Sequence, residues 1–111
     1  MATLLGCPVE DELADEAMSL VRDIRACEGD MDDVGRITKV IAKLTETSLD
    51  YYFTRPVREL GASRTLLGIV SVGNRGALKV IRGGMQQVMS RLKQQQILQV
   101  ADYIEECFYE I

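Results

Sequence analysis

The chain has 111 residues, enough for one ordinary hydrophobic core and too few for two. With 47% apolar residues, 27% charged residues and two prolines, it is neither disordered nor of low complexity. A formal net charge of −4 argues against general affinity for nucleic acid, which requires attraction to the phosphate backbone.

The three cysteines, Cys7, Cys27 and Cys107, show no zinc or redox spacing, and the chain has no histidine to complete a mixed metal site. We therefore expect reduced thiols, no metal, no cofactor and a cytoplasmic location. The longest mostly apolar stretch, residues 66–85, is interrupted by basic residues, so we expect no transmembrane segment.

A first helix is predicted over residues 8–28. Pro8 suits the first helical position, where its missing N–H has no partner to lose. Acidic residues crowd the first two turns and Arg22 and Arg25 lie near the end, so the charges complement the helix dipole. Gly29 is the predicted stop. The apolar stripe consists of Leu13, Ala17, Leu20, Val21, Ile24 and Cys27.

The second predicted helix is capped by Asp30 or Asp32 and runs to about Phe53. Thr54-Arg55-Pro56 should interrupt it, because the residue before a proline avoids the helical region. Residues 56–60 are compatible with a short further turn. The apolar face consists of Val34, Ile37, Val40, Ile41, Leu44, Ser48, Tyr51 and Tyr52.

The third predicted helix begins after Ser63 as cap and runs to about Lys93. Its interior glycines each cost up to roughly 1 kcal/mol, and Gly73-Asn74-Arg75-Gly76 could instead form a turn that divides the segment. A turn would shift the helical spacing of the apolar residues, but that spacing is the same before and after these four residues. We therefore predict one long helix, straight or kinked. The stripe consists of Leu66, Val70, Ala77, Ile81, Met85, Val88 and Leu92.

The fourth predicted helix runs from about Gln94 to the end of the chain. No repeat or linker separates the four segments, so they must share one core. The predicted fold is an all-α, four-helix bundle-like single domain. The last stripe consists of Ile97, Val100, Ala101, Ile104, Cys107, Phe108 and Ile111.

Charge is unevenly distributed along the chain. Residues 1–53 carry 5 basic and 12 acidic residues, net −7; residues 54–100 carry 8 basic and 1 acidic, net +7; residues 101–111 carry 4 acidic, net −4. One interpretation is internal neutralisation, with acidic helices packed beside a basic one. The other is a site for an anion or an acidic partner, because five basic residues share a sector of about 60° on the third helix. They are Arg64, Arg75, Lys79, Arg82 and Lys93.

Small residues form a second feature of the third helix. Gly73, Ala77 and Gly84 lie together at the edge of its apolar stripe. Such residues let another helix approach closely, and that helix could belong to the same chain or to a second copy. Asn74 projects toward the apolar side if the helix is continuous, where it would need a hydrogen-bond partner.

The sequence offers little for catalysis, since the commonest general base, histidine, is absent. A group of Tyr51, Tyr52, Arg55 and Arg58 could bind an anion, although tyrosines that border a core are commoner. The preferred hypothesis is a non-enzymatic interaction module that forms a homodimer or binds another protein. The alternative is a binding domain for a small anion or an acidic partner.

Overall fold

The computed structural model describes residues 5–31 and 33–108. This part of the chain contains helices and no strand, which confirms the all-α, bundle-like fold. A π-helical segment, Asp50–Thr54, joins the second and third of five α-helices. The α-helices are α1 (Asp11–Ala26), α2 (Gly35–Leu49), α3 (Arg55–Glu59), α4 (Arg64–Ser90) and α5 (Gln94–Cys107).

The four longer helices lie in a row in the order α5, α1, α2, α4. α1 packs against both α5 and α2, and the other side of α2 packs along α4. The radius of gyration is 15.9 Å, compared with about 13 Å for a compact domain of this length. An open row explains the excess, because α4 stands at one edge. The core consists of Ala17, Leu20, Val21, Ile24, Ile37, Val40, Met89, Ile97, Ala101 and Ile104.

The first helix ends as its sequence predicts. The N–H of Gly29 donates to the carbonyl of Ile24 over 2.9 Å, and that of Glu28 donates to Arg25 over 3.2 Å. Both terminal residues have positive φ, 56° at Glu28 and 83° at Gly29. This is the Schellman pattern of helix termination. Gly29 is buried against the carbonyl oxygen of Gln94, where a Cβ atom would lie only 2.2 Å away.

The start of α2 differs from the prediction. The carboxylate of Asp33 accepts the N–H of Gly35 over 2.9 Å, so the cap is not Asp30. Asp32, the other predicted cap, lies outside the described residues. Asp33 sits two residues before the helix start and can reach an N–H that the helix itself leaves unpaired.

The predicted break before Pro56 is wrong. Helical backbone continues from α2 through the π-helical segment into α3, and the N–H of Arg55 donates to the carbonyl of Asp50, five residues earlier. A regular α-helix would bring the proline ring against the carbonyl four residues before it, and a π turn rearranges that contact. The short helical turn expected at residues 56–60 is present as α3.

The long glycine-containing helix is continuous, as predicted. Ser63 caps it by accepting the N–H of Leu66 over 3.3 Å. Asn74 is half-buried, and its Nδ2 donates to Oγ1 of Thr54 over 2.8 Å, which attaches the middle of α4 to the π-helical segment. The helix ends at Ser90, so Lys93 belongs to the start of α5 and not to the basic sector of α4.

The two cysteines of the predicted apolar stripes are less buried than those stripes imply: Cys107 is exposed and Cys27 is half-buried. Cys7 is half-buried as well. At about 100° per residue, position 107 lies about 60° beyond Ile104, at the margin of the buried stripe of α5. The outer stripe residue Ile111 lies outside the described part of the chain.

Candidate interaction surface

The surface of α4 has three sectors: at about 100° per residue the first two adjoin, with centres about 70° apart, and the third lies on the opposite side of the helix. The first faces the bundle, with Leu78 and Met89 buried and Asn74 half-buried. The second is basic. The third carries no charge and is exposed along its whole length; we call it the open face of α4. It consists of Leu66, Ile69, Gly73, Gly76, Ala77, Val80, Gly84 and Gln87.

The open face exposes large apolar side chains. Leu66 is 52% exposed, Ile69 63% and Val80 76%, and Val72 and Val88 border the face with 63% and 51%. These five account for most of the exposed large apolar residues in the described chain. They face outward because α2 is the only long helix packed extensively along α4 within the described residues.

Glycines leave gaps between these side chains. A Cβ atom built on Gly73, Gly76 or Gly84 would meet nothing within 4 Å, and Ala77 is exposed. Within the described residues, therefore, no helix packs closely on Gly73, Ala77 and Gly84. The regular spacing of residues along the helix predicted that Gly73, Ala77 and Gly84 lie together. It could not show which neighbouring helix packs against them.

The basic sector holds four of the five predicted cations, and we call it the basic ridge: Arg64, Arg75, Lys79 and Arg82. All four are exposed, and no carboxylate of the described chain lies within 4 Å of them. The carboxylates that do form ion pairs in the described chain have other partners. Arg25 of α1 contacts Asp102 over 2.9 Å and Glu105 over 2.7 Å, both on α5.

Two further ion pairs join α1 and α2. Lys43 lies 3.0 Å from Glu16, and Arg36 lies 2.5 Å from Asp23. Internal neutralisation therefore operates through cations of α1 and α2, and the predicted pairing of acidic helices with the basic ridge is not formed among the described residues.

The tyrosine–arginine group is brought together, but its arginines already have acidic partners. The guanidinium of Arg55 lies 4.9 Å from the ring centre of Tyr51 and donates to Glu59 over 3.0 Å. That carboxylate raises the pKa of Arg55. Arg58 lies 3.9 Å from Asp50. A carboxylate beside each arginine offsets the positive charge that an anion would need.

Tyr52 belongs to the same group and contacts the segment before α1. Its hydroxyl donates to the carbonyl of Gly6, and its ring packs edge-on against Tyr51. The pair thus holds the beginning of the described chain against the π-helical segment. This role differs from the commoner interpretation of the two tyrosines, that they border the core, since neither is among the residues that form the core or pack against it in the described chain.

A groove of about 850 Å³ lies between α1, α2, the π-helical segment and α4. It brings Arg75 of the basic ridge together with Tyr51 and Arg58, which the sequence had placed in separate sites. Its walls also carry Glu12 and Glu46, so the groove is of mixed charge. Helical periodicity gave no indication of it, because it forms between helices distant in sequence.

Residues 5–31 and 33–108 contain no cluster of metal-ligating side chains. No helix among them is both long enough and apolar enough to cross a bilayer.

No family model matches the chain, and neither a curated protein nor a solved structure does.

Proposed function

We propose that the protein is a non-enzymatic interaction and oligomerisation module that associates through the open face of α4. The observation that supports this most is a set of large apolar side chains, exposed together on one face that nothing in the described chain covers. Exposed apolar surface is unfavourable by about 25 cal/mol per Å², and contiguous patches of this kind commonly mark interaction surfaces.

The shape of the open face favours a helix as its occupant. From Leu66 to Gln87 it runs about 33 Å along a surface only about 10 Å wide. Its glycines allow a second backbone to come close. A second copy of the chain is the partner we expect, because twofold homodimers are the commonest protein assemblies. Its thiols are unpaired, which is consistent with action in the cytoplasm.

Sedimentation equilibrium of the Val80→Asp variant tests the proposal. Val80 is the most exposed large side chain of the open face, at 76%, and an aspartate there would have to be buried without a partner on association. We expect the unmodified protein to dimerise at micromolar concentration, and Val80→Asp to raise the dissociation constant at least about tenfold, or 1.4 kcal/mol.

Leu60→Asp is the matched control. Leu60 is 86% exposed and lies at the C-terminal end of α3, outside α4, so we expect this change to leave the dimer intact. Circular dichroism should show unchanged helix content in both variants, because both positions are exposed. An unmodified protein that stays monomeric at high micromolar concentration would rule out self-association.

The second candidate function is binding of a small anion or an acidic partner through the basic ridge. What favours it is that Arg64, Arg75, Lys79 and Arg82 lack carboxylate partners in the part of the chain that the structure describes. Calorimetric titration of inorganic phosphate into the unmodified protein and into Val80→Asp separates the two candidates. Anion binding should persist in a Val80→Asp monomer, since the basic ridge and the open face lie on different sectors of α4.

A further inference from the structure

We infer that the open face is occupied by the open face of a second copy, packed antiparallel about a twofold axis that passes between Gly76 and Ala77. The inference rests on the proposed function and names the partner surface and its direction. It comes from the order of large and small residues along a face that the structure shows to be exposed throughout.

The eight positions of the open face are symmetric about that midpoint. Reversing the helix there sets Ile69 opposite the partner's Gly84, and Val80 opposite the partner's Gly73. Ile69 and Val80 then each meet a glycine with free space around it, while Leu66 lies opposite the side chain of Gln87 at the end of the face. The two smallest neighbours, Gly76 and Ala77, meet at the axis, where the backbones approach most closely. Alternation of large and small residues across a contact is what allows two surfaces to interdigitate.

A parallel pair in the same register would fit poorly. Val80 would face the partner's Val80, and Gly73 would face the partner's Gly73, so crowding at one level would alternate with a void at the next. The antiparallel arrangement is also closed, because a twofold axis uses the same patch on both copies and leaves no further face to extend.

Helix dipoles favour the same direction, because antiparallel helices set the positive end of each dipole beside the negative end of the other. The basic ridge does not oppose it, since its centre lies about 150° around α4 from the centre of the open face.

The size of the contact predicts modest affinity. A strip about 33 Å long and about 10 Å wide projects to roughly 330 Å², while a standard interface buries about 800 Å² per partner. The unevenness of the side-chain surface enlarges the first area, but we expect it to stay below the second. We therefore expect dimerisation to depend on concentration in the micromolar range.

Disulfide trapping tests the direction of packing. The experiment uses the full chain with Cys7→Ser, Cys27→Ser and Cys107→Ser, into which Ile69→Cys or Gly84→Cys is introduced separately. In the antiparallel dimer position 69 adjoins position 84 of the partner, whereas the two copies of position 69 are about 22 Å apart. A disulfide spans Cα atoms about 4.4–6.8 Å apart. Oxidising a mixture of the two proteins should give at least ten times more covalent dimer than oxidising either alone.

Three other outcomes overturn the inference in distinguishable ways. Efficient linkage of Ile69→Cys alone would establish a parallel pair. If Val80→Asp dissociates the dimer but no disulfide forms, either in the mixture or in the single variants, the proposed function would stand and the antiparallel register would be wrong. A monomer without linkage would reject both. If phosphatidylserine vesicles protect the Ile69→Cys thiol of that monomer from a maleimide, the occupant of the face is a lipid surface.

Discussion

At the scale of single residues, the hydroxyl of Thr38 is a weak point of the core. Thr38 is 6% exposed, and its Oγ1 has no hydrogen-bond partner within the described ranges. Burying an unpaired hydroxyl is unfavourable, and valine has nearly the same shape without it. We expect Thr38→Val to raise the free energy of unfolding in urea by about 1 kcal/mol.

Thr45→Val provides the comparison for that change. Thr45 lies on the same helix, but its hydroxyl donates to the carbonyl of Ile41 over 2.8 Å. Removing a satisfied group should bring no gain in stability. Equal stabilisation by both substitutions would show that valine acts through general hydrophobicity and not through the unpaired hydroxyl of Thr38.

Gly29 combines a backbone requirement with a packing requirement. Gly29→Ala would place a Cβ atom 2.2 Å from the carbonyl oxygen of Gln94, at a φ of +83°. Gly61→Ala meets the same kind of φ, +76°, with open space around it. We expect Gly61→Ala to lower the free energy of unfolding by about 1–2 kcal/mol, and Gly29→Ala to lower it by clearly more.

Thermal or urea unfolding measures how much more Gly29→Ala lowers the free energy of unfolding than Gly61→Ala does. That difference is the cost of the steric clash between the new Cβ atom and α5. Similar values for both would mean that the α1 terminus can move away from Gln94. The stop at Gly29 was predictable from the sequence, because glycine commonly ends a helix. Its contact with Gln94 was not, because the two residues are far apart in the chain and neither belongs to an apolar stripe.

At the scale of elements, we expect the contact between α1 and α5 to depend on pH. The guanidinium of Arg25 lowers the pKa of Glu105 below its ordinary 4.5, chiefly through the hydrogen bond between them. A group whose pKa is lower in the folded state stabilises the fold above its unfolded pKa. That contribution is lost as the pH falls below 4.5 toward the folded value.

The measurement is the unfolding midpoint between pH 6 and pH 3. Glu105→Gln should be less stable than the unmodified protein at pH 6, and the two should converge as the pH falls. Glu106→Gln, a neighbour with no ion pair among the described residues, should show no such convergence. A constant gap for Glu105→Gln would indicate that the ion pair with Arg25 does not stabilise the fold.

The helices themselves were largely predictable, because apolar residues at helical spacing are a direct consequence of one buried face. The exceptions have local causes. The π-helical segment was missed because the rule for residues before proline describes regular helix and not a widened turn. Cys107 was misplaced because a stripe includes marginal positions, and the width of the covering helix decides whether these are buried.

At the scale of the whole molecule, the sequence could not predict the open row. The spacing of apolar residues along a helix identifies the side of that helix that is unfavourable to expose to water. α4, however, has apolar residues on two sides, and only one of these sides contacts α2. The Gly73, Ala77 and Gly84 group lies on the other. Whether a second apolar sector is covered depends on how α5 is positioned, and that follows from its contacts with α1.

The open row also sorts charge from one edge of the molecule to the other. α5 carries 3 acidic residues and no basic ones, net −3, and α1 carries 5 acidic and 2 basic, also −3. α2 carries 3 basic and 1 acidic residue, net +2, and α4 carries 4 basic and no acidic ones, net +4. In the order α5, α1, α2, α4 the charge therefore changes sign halfway.

Such a molecule has a large electric dipole moment although its net charge is only −4. A negatively charged surface would turn it during approach so that α4 arrives first, and a positively charged one would select α5. This orientation would fade as added salt shortens the Debye length to about 8 Å at physiological ionic strength. The protein should therefore be able to adhere to a cation-exchange resin at low salt, above its isoelectric point, with α4 toward the matrix.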